Sequence, residues 1–447
     1  MSDRGFVQGA LALCCALLAG CAVDQQKEVA TYRAILDEHA PATIEPLEEG
    51  QVLTLQHAFY LANKNDEQLS IRGETYLQSL IARARAAAGF LPSVDASARY
   101  TLAGEGTNAN DSFSVNAGGS VTLFNLRTLS NLEQARTAVE QQELVLRDLQ
   151  QTVLIGVAQN FFEVLRADES VRMLEHSLAL RAEQVRDVRA RMELGIARPL
   201  DLAQAEADES ATRVSLMQAR SSASRARTTL AFLLGLPRLD NPLGDDFTPG
   251  SDERTVEEFE VEAVQRRLDL EAARTGVRLA SQAVTAAYRQ YYPTANLNLS
   301  FLVYSHPGDG NPWSLGASLL QPIFNAGLTH QDVREAYSRL RQAVLQQERL
   351  ARQVHEDVVL AYEDYATSTA KLRELEVTVM AAQRAYDLAV AQYRVGNASN
   401  LDQLTANNAL LQAQLQLITE RYNQKLFYLN LLRVTGQLEL TTPSGLN

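Results

Sequence analysis

The stretch YRVGNASNLDQLTA, residues 393–406, decides how this chain is built. Between Leu328 and Val395 there is no glycine or proline, so one helix can run uninterrupted until Gly396, set among Asn397, Ser399 and Asn400, ends it. At about 1.5 Å of rise per residue that helix is near 100 Å long, deeper than any globular core. Along it Val333, Leu340, Gln347, Val354 and Ala361 recur every seven residues, with Ala336, Ala343 and Leu350 between them. That spacing is a coiled-coil seam rather than a lone surface stripe.

The same pattern is written twice. Laid over residues 391–436 at a constant shift of 201, residues 190–235 pair Ala190 with Ala391, Gly195 with Gly396, Leu200 with Leu401 and Asp201 with Asp402. Ala205 and Ala406, Leu230 and Leu431, and Gly235 and Gly436 follow, and the shift also takes Pro92 to Pro293. A one-residue slip near Phe124 and Phe324 interrupts the register. The repeated unit is about 200 residues, far longer than solenoid repeats of about 20–50. Each unit reads as a helix (roughly 53–90 and 257–290), two alternating segments, a long helix (130–194 and 328–395), a glycine turn and a further helix (199–234 and 400–434). Gly156 alone interrupts the first long helix and is read as a packing or bending point.

The alternating segments have the period of strands. Ala295, Leu297, Leu299, Phe301 and Val303 share one face while Asn296, Asn298 and Ser300 share the other, and the partner runs from Trp313 to Phe324 across a turn-rich loop. In the first half, Val94–Ala103 and Ser112–Phe124 make the matching pair. Two hairpins, 93–124 and 294–324, are the expected strand inventory. The divisions are then residues 51–236 and 257–436 as repeats, a Pro- and Gly-rich linker at 237–256, an extended segment at 21–50 and a tail at 437–447.

Composition narrows the class. With 46% apolar residues but only 6% aromatics the chain favours Ala- and Leu-rich helix packing, and a formal charge of −13 argues against nucleic acid, which requires clustered Lys and Arg. At the N-terminus an apolar run from Phe6 to Leu18 ends in Leu18-Ala19-Gly20-Cys21, which resembles a bacterial lipoprotein signal spanning residues 1–20. That resemblance implies cleavage before Cys21, its lipidation, and sorting to the outer membrane with Ala22 beside it. Cys14 and Cys15 lie in the signal, so Cys21 would be the mature chain's one thiol, with no intrachain disulfide.

No segment of the mature chain reaches the roughly 18 uncharged apolar residues of a spanning helix, so any crossing must be made by strands. A sheet in hydrocarbon has to close, the smallest barrels use about eight strands, and four per chain cannot close alone. Copies must therefore associate; three would supply twelve strands and twelve helices.

The duplicated unit, the run Pro322-Ile323-Phe324-Asn325-Ala326-Gly327, and Arg394-Val395-Gly396 followed by Leu401-Asp402 together resemble the TolC/OprM outer membrane factor family, and the lipid signal resembles its lipidated OprM-like branch. The resemblance covers residues 50 to 436, and departs at Leu123-Phe124-Asn125-Leu126-Arg127, where Pro and Gly around the aromatic are absent. It implies a mainly α fold with a small β part: a homotrimeric 12-stranded β-barrel in the outer membrane continuous with a long periplasmic α-helical barrel. It also implies a function as exit duct of a tripartite efflux or secretion system, with a periplasmic adaptor and an inner-membrane pump or exporter as partners, and no cofactor. The two glycine turns would lie at the periplasmic tip and dock the adaptor through Leu194, Gly195, Ile196, Ala197, Arg198, Arg394, Val395, Gly396, Asn397 and Ala398. Asp402 would sit in a pore constriction, where three copies raise one another's pKa; its other reading is a dipole-stabilising residue of a first helical turn, matched by Asp201.

Catalytic signatures are missing. His355-Glu356 lacks the second His of a zinc helix, the six His are scattered, and Met173, Met192, Met217 and Met380 do not cluster, so neither catalytic nor metal residues are expected. The competing class is a lipid-anchored periplasmic coiled-coil scaffold or adaptor whose hairpins form a soluble sheet; such a sheet would bury one face.

Overall fold

The computed structural model describes residues 23–38, 50–101, 112–250, 254–306 and 313–439. Cys21, the signal segment, the hairpin loops and the end of the C-terminal tail lie outside them. Nine helices and four strands follow in order among the described residues: α1 (Gln25–Leu36), α2 (Leu55–Asn65), α3 (Glu67–Ala88), β1 (Ser93–Thr101), β2 (Ser112–Phe124), α4 (Leu126–Glu193), α5 (Pro199–Leu233), α6 (Val256–Arg266), α7 (Leu268–Tyr288), β3 (Thr294–His306), β4 (Trp313–Leu320), α8 (Leu328–Arg394) and α9 (Asn400–Val434). Apart from a short 3-10 turn at Arg289–Tyr291, the other described residues are loop or bridge.

The long helices bear out the duplication: α4 has 68 residues and α8 has 67. Of the seam read from α8, Val333, Ala336, Val354 and Ala361 are buried, while Leu340, Ala343, Gln347 and Leu350 are half-buried; Val358, outside that spacing, is buried with them. Near its start α8 faces α7, where Val284 and Ala287 meet Val333 and Ala336, and toward its middle Val354, Val358 and Ala361 meet Phe259, Leu431 and Val434. Gly156 is not a packing point within the chain: α4 passes through it unbroken, and no atom lies within 4 Å of where a Cβ would stand.

Three further expectations are corrected. The single helices expected at 53–90 and 257–290 are each two, broken at Asp66 and Arg267, which hold extended backbone (ψ 124° and 120°) and are themselves related by the shift of 201. Each break lets its following helix bury a leucine, Leu69 or Leu270. Asp66 accepts the Leu69 N–H at 2.9 Å, and Arg267 bridges Asp269 and Asp357 at 2.7 Å each. Residues 25–36 of the segment taken as extended are helical, because Asp24 accepts the N–H groups of Gln26 and Lys27 and Tyr32 and Leu36 bury against α3 and α4. Gly73 makes room for Tyr32, whose ring lies 2.3 Å from the position of an added Cβ. Finally, β4 stops at Leu320 rather than Phe324, since Pro322 has no N–H to offer a ladder and Gln321 turns to donate to the Tyr291 carbonyl.

The linker crosses the middle of the helices. Leu53 bonds to both sides of it, donating to Pro242 O at 2.8 Å and accepting from Gly244 N at 2.9 Å. Phe247 enters an aromatic cluster with Phe162, Tyr422 and Tyr428, ring centroids about 6.1 Å from Phe162 and Tyr428. This cluster belongs to the main core, built from α2, α4, α5, the linker and α9.

The sheet is antiparallel throughout, in the order β1-β2-β3-β4, so β2 and β3 join the two repeats and β1 and β4 form its edges. One face carries Val94, Ala96, Ala98, Gly119, Ala117, Val121, Leu297, Leu299, Phe301, Leu315, Ala317 and Leu319; the other carries Asp95, Ser97, Arg99, Asn116, Gly118, Asn296, Asn298, Ser300, Ser314, Gly316 and Ser318. No described side chain on any strand is buried, and β1 and β4 are exposed along their whole length. The expected alternation on β3 holds through Leu302, after which the pairing skips Val303. A second irregularity at Leu123 lies beside the slip between the two repeats. The first-half junction lacks Pro and Gly because Asn125 caps α4 directly, accepting from Arg127 and Thr128. In the second half, left-handed Ala326 and Gly327 (φ 54° and 79°) make the turn into α8.

Candidate functional site: the paired tip turns

Helices α4 and α5 form one antiparallel hairpin and α8 and α9 a second, with their glycine turns side by side at one end. Gly195 and Gly396 have φ of 76° and 79°, the left-handed conformation that glycine adopts without strain. In the first turn Ile196 N–H reaches Arg191 O and Gly195 N–H reaches Met192 O, both at 2.9 Å. In the second, Asn397 N–H reaches Gln392 O at 2.9 Å and Gly396 N–H reaches Tyr393 O at 3.1 Å. Both are the same glycine cap, which satisfies the last carbonyls of the long helices. Replacing Gly396 with valine is expected to strain the turn by about 1–2 kcal/mol and to raise the rate of proteolytic nicking across residues 394–399; Ala398→Val serves as control.

The return helices start differently. In α9, Ser399 Oγ accepts the Asp402 N–H at 3.2 Å while Asp402 Oδ2 accepts the Ser399 N–H at 2.8 Å, a reciprocal capping box. In α5, Pro199 opens the helix and Asp201 accepts the Arg198 N–H at 3.0 Å, but its carboxylate also pairs with the Arg198 guanidinium at 2.8 Å. The Arg198 hydrogen bond holds Asp201 below its usual range. Asp402 is held low by the Ser399 hydroxyl and backbone N–H, with no arginine beside it. Within one chain the shift on Asp402 is therefore opposite to the one three gathered carboxylates would produce. Its contribution to the cap is complete above the ordinary aspartate pKa and is lost as pH falls through the depressed value. Of the tip residues, Leu194, Ile196 and Val395 are largely exposed, together with Leu200 and Leu401 of the first helical turns, an apolar rim on an otherwise polar end.

The two turns are tied together by contacts that the sequence reading missed. Arg191 stacks over the Tyr393 ring at 4.7 Å, Asn400 donates to Asp201 O at 3.1 Å, and Gln184 donates to Asn400 Oδ1 at 2.9 Å. Further from the tip Arg181, only 2% exposed, pairs with Asp208 and donates to Asn408 Oδ1 at 2.7 Å, joining α4, α5 and α9. Burial lowers the Arg181 pKa, and it raises those of Tyr386 and Tyr393. The signal was present in the run Leu174, Ser177, Arg181, Gln184 and Val188, where polar residues occupy seam positions.

The sequence that builds these hairpins, turns and strands matches the outer membrane efflux protein family over residues 73–236 and 261–437. The chain belongs to this outer membrane efflux protein family. The outer membrane efflux protein BepC of Brucella suis biovar 1 is 27% identical over 321 residues, 70% of this chain and 69% of that protein. The outer membrane protein TolC of Vibrio cholerae is 24% identical over 401 residues, 86% and 91% of the two chains. Among solved structures, the outer membrane protein VceC from Vibrio cholerae superposes with a TM-score of 0.75 at 20% identity, covering 86% of this chain and 96% of VceC. CusC superposes at 0.76 with 19% identity, covering 89% of this chain and 99% of CusC. The efflux-family match begins in α3 and ends just after α9, so it includes both tip turns and all four strands.

Proposed function

We propose that this efflux protein is the outer membrane exit duct of a tripartite efflux system, working as a homotrimer that passes solutes from an inner-membrane pump or exporter and a periplasmic adaptor to the exterior. The observation that carries it is the sheet: one face apolar from Val94 to Ala98 and across Leu297, Leu299 and Leu315, the other almost wholly polar, neither covered by the described residues, with β1 and β4 as matched edges of 9 and 8 residues. Three such sheets joined β1 to β4 make twelve strands with lipid outside and water inside. A soluble scaffold would have covered the apolar face. Where the strands meet the helices, Phe90, Phe124, Tyr291, Tyr292 and Phe324 are exposed, the position of an interfacial aromatic girdle.

The remaining parts follow from that orientation. Helices of about 100 Å extend from the barrel across the periplasm, and the apolar rim of Leu194, Ile196 and Val395, with Gly195, Ala197, Arg198, Arg394, Gly396, Asn397 and Ala398, docks the adaptor. Helix α1 runs antiparallel to α3, with Leu36 near Asn63 and Arg33 bonded to Ser70, so its N-terminal end points toward the sheet. That direction suits a lipid on Cys21 in the outer membrane's inner leaflet. Asp402, uncompensated by any arginine, lines the tip constriction. Asp402→Ala is expected to raise single-channel conductance and reduce cation selectivity in planar bilayers. A pH titration of wild-type conductance separates the two positions of this carboxylate: a transition above the ordinary aspartate range places three copies together, and one below it leaves each as a helix cap only.

A further inference from the structure

The polar face of the sheet carries a charge pattern that the tip does not explain. Among its described residues every side chain is Ser, Thr, Asn, Gly or, at the ends, Leu, except two on the edge strand β1: Asp95 and Arg99. Register places Asp95 opposite Gly118 and Arg99 opposite Ser114. Gly118 leaves the space that Asp95 uses, since an added Cβ would stand 3.3 Å from Asp95 Oδ1. Four residues of strand separate the two charges by about 13 Å along β1, with Asp95 nearer the helices and Arg99 nearer the hairpin loop.

We propose that Arg99 is a selectivity-determining residue of the outer part of the duct: three guanidiniums, one per protomer, form a cationic ring that engages anionic groups of departing solutes, above a ring of three Asp95 carboxylates. This deepens, and rests on, the trimeric barrel reading. Rings of charged side chains in a pore set which ions pass, and among the described residues of this face the neighbours of these two are neutral hydroxyls, amides and glycines. Because β1 is an edge, both rings stand at the seams between protomers, where β4 of the neighbour offers Ser314, Gly316 and Ser318 on the same face. Along the described strands a solute leaving the cell therefore meets the Asp95 ring before the Arg99 ring.

The test is bilayer recording of the full trimer in an Asp402→Ala background, so that the tip carboxylates do not mask the barrel. At about 0.01 M salt, where the screening length is near 30 Å, Arg99→Gln is expected to raise the cation-to-anion permeability ratio about twofold or more, and Arg99→Glu further. Asp95→Asn lowers the ratio, and Ser97→Gln between them leaves it unchanged. Arg99→Cys guards against a folding artefact: a cationic methanethiosulfonate reagent restores the wild-type ratio and an anionic one moves it the other way. Unchanged ratios in Arg99→Gln and Arg99→Glu channels of normal conductance, or a cysteine at 99 that water-soluble reagents do not reach, overturn the proposal while the duct stands. Failure of the parent protein to form channels at all overturns the barrel reading itself.

Discussion

Arginine in place of Leu299 is expected to abolish assembly in the outer membrane, whereas arginine in place of the adjacent Ser300 leaves it intact. Leu299 sits mid-strand between Gly119 and Leu315 on the apolar face, and Ser300 sits between Gly118 and Ser314 on the polar face. A lipid-facing arginine near the bilayer midplane costs about 2–4 kcal/mol, and a homotrimer incurs it three times. On the opposite face the same side chain enters water beside a glycine and a serine, with no burial to undo. The measurement is the fraction of chain that migrates as a heat-labile oligomer from the outer-membrane detergent extract. Equal loss in both variants would show that the sheet buries both faces; equal assembly would show that neither meets lipid.

The second large effect lies in the helices. Removing Asp208 by substitution to alanine leaves the Arg181 guanidinium buried without its anion, and breaking such a pair costs about 3–5 kcal/mol. The loss is local, because Arg181 joins α4 to α5 and α9 through Asp208 and Asn408. Faster amide hydrogen exchange is expected over residues 177–188 and 400–410, with the aromatic cluster around Phe162 and Tyr422 unchanged. The double variant Arg181→Met with Asp208→Leu removes both charges and should recover most of the protection, since an apolar pair of similar volume avoids the desolvation penalty. Equal exchange in the single and double variants would mean that packing rather than charge ties the hairpins at this level.

Much of the architecture was legible because it is carried by long periodic signals. A helix without Gly or Pro from Leu328 to Val395, a seven-residue seam and a 201-residue shift each involve many residues, so no single side chain can mislead. The sheet faces were readable for the same reason, as far as strict alternation held. What escaped depends on one residue or on distant ones. The breaks at Asp66 and Arg267 are single extended positions inside otherwise helical sequence, and the partners that fix Arg267 include Asp357, ninety positions away. Helix α1 depends on a pocket over Gly73 that only the fold creates. The glycine caps at Gly195 and Gly396 were visible as turns, but their tethers, Arg191 on Tyr393 and Gln184 on Asn400, join separate repeats. Asp402 and Asp201 looked equivalent in sequence; what distinguishes them is the preceding cap, serine in one turn and arginine in the other.

The central claim is that one chain holds only a third of a closed barrel, and the stoichiometry of the purified protein tests it most directly. Native mass spectrometry of the detergent-extracted protein should give three copies of the mature chain, stable until the detergent is removed. A single copy that stays soluble and folded without detergent would contradict it.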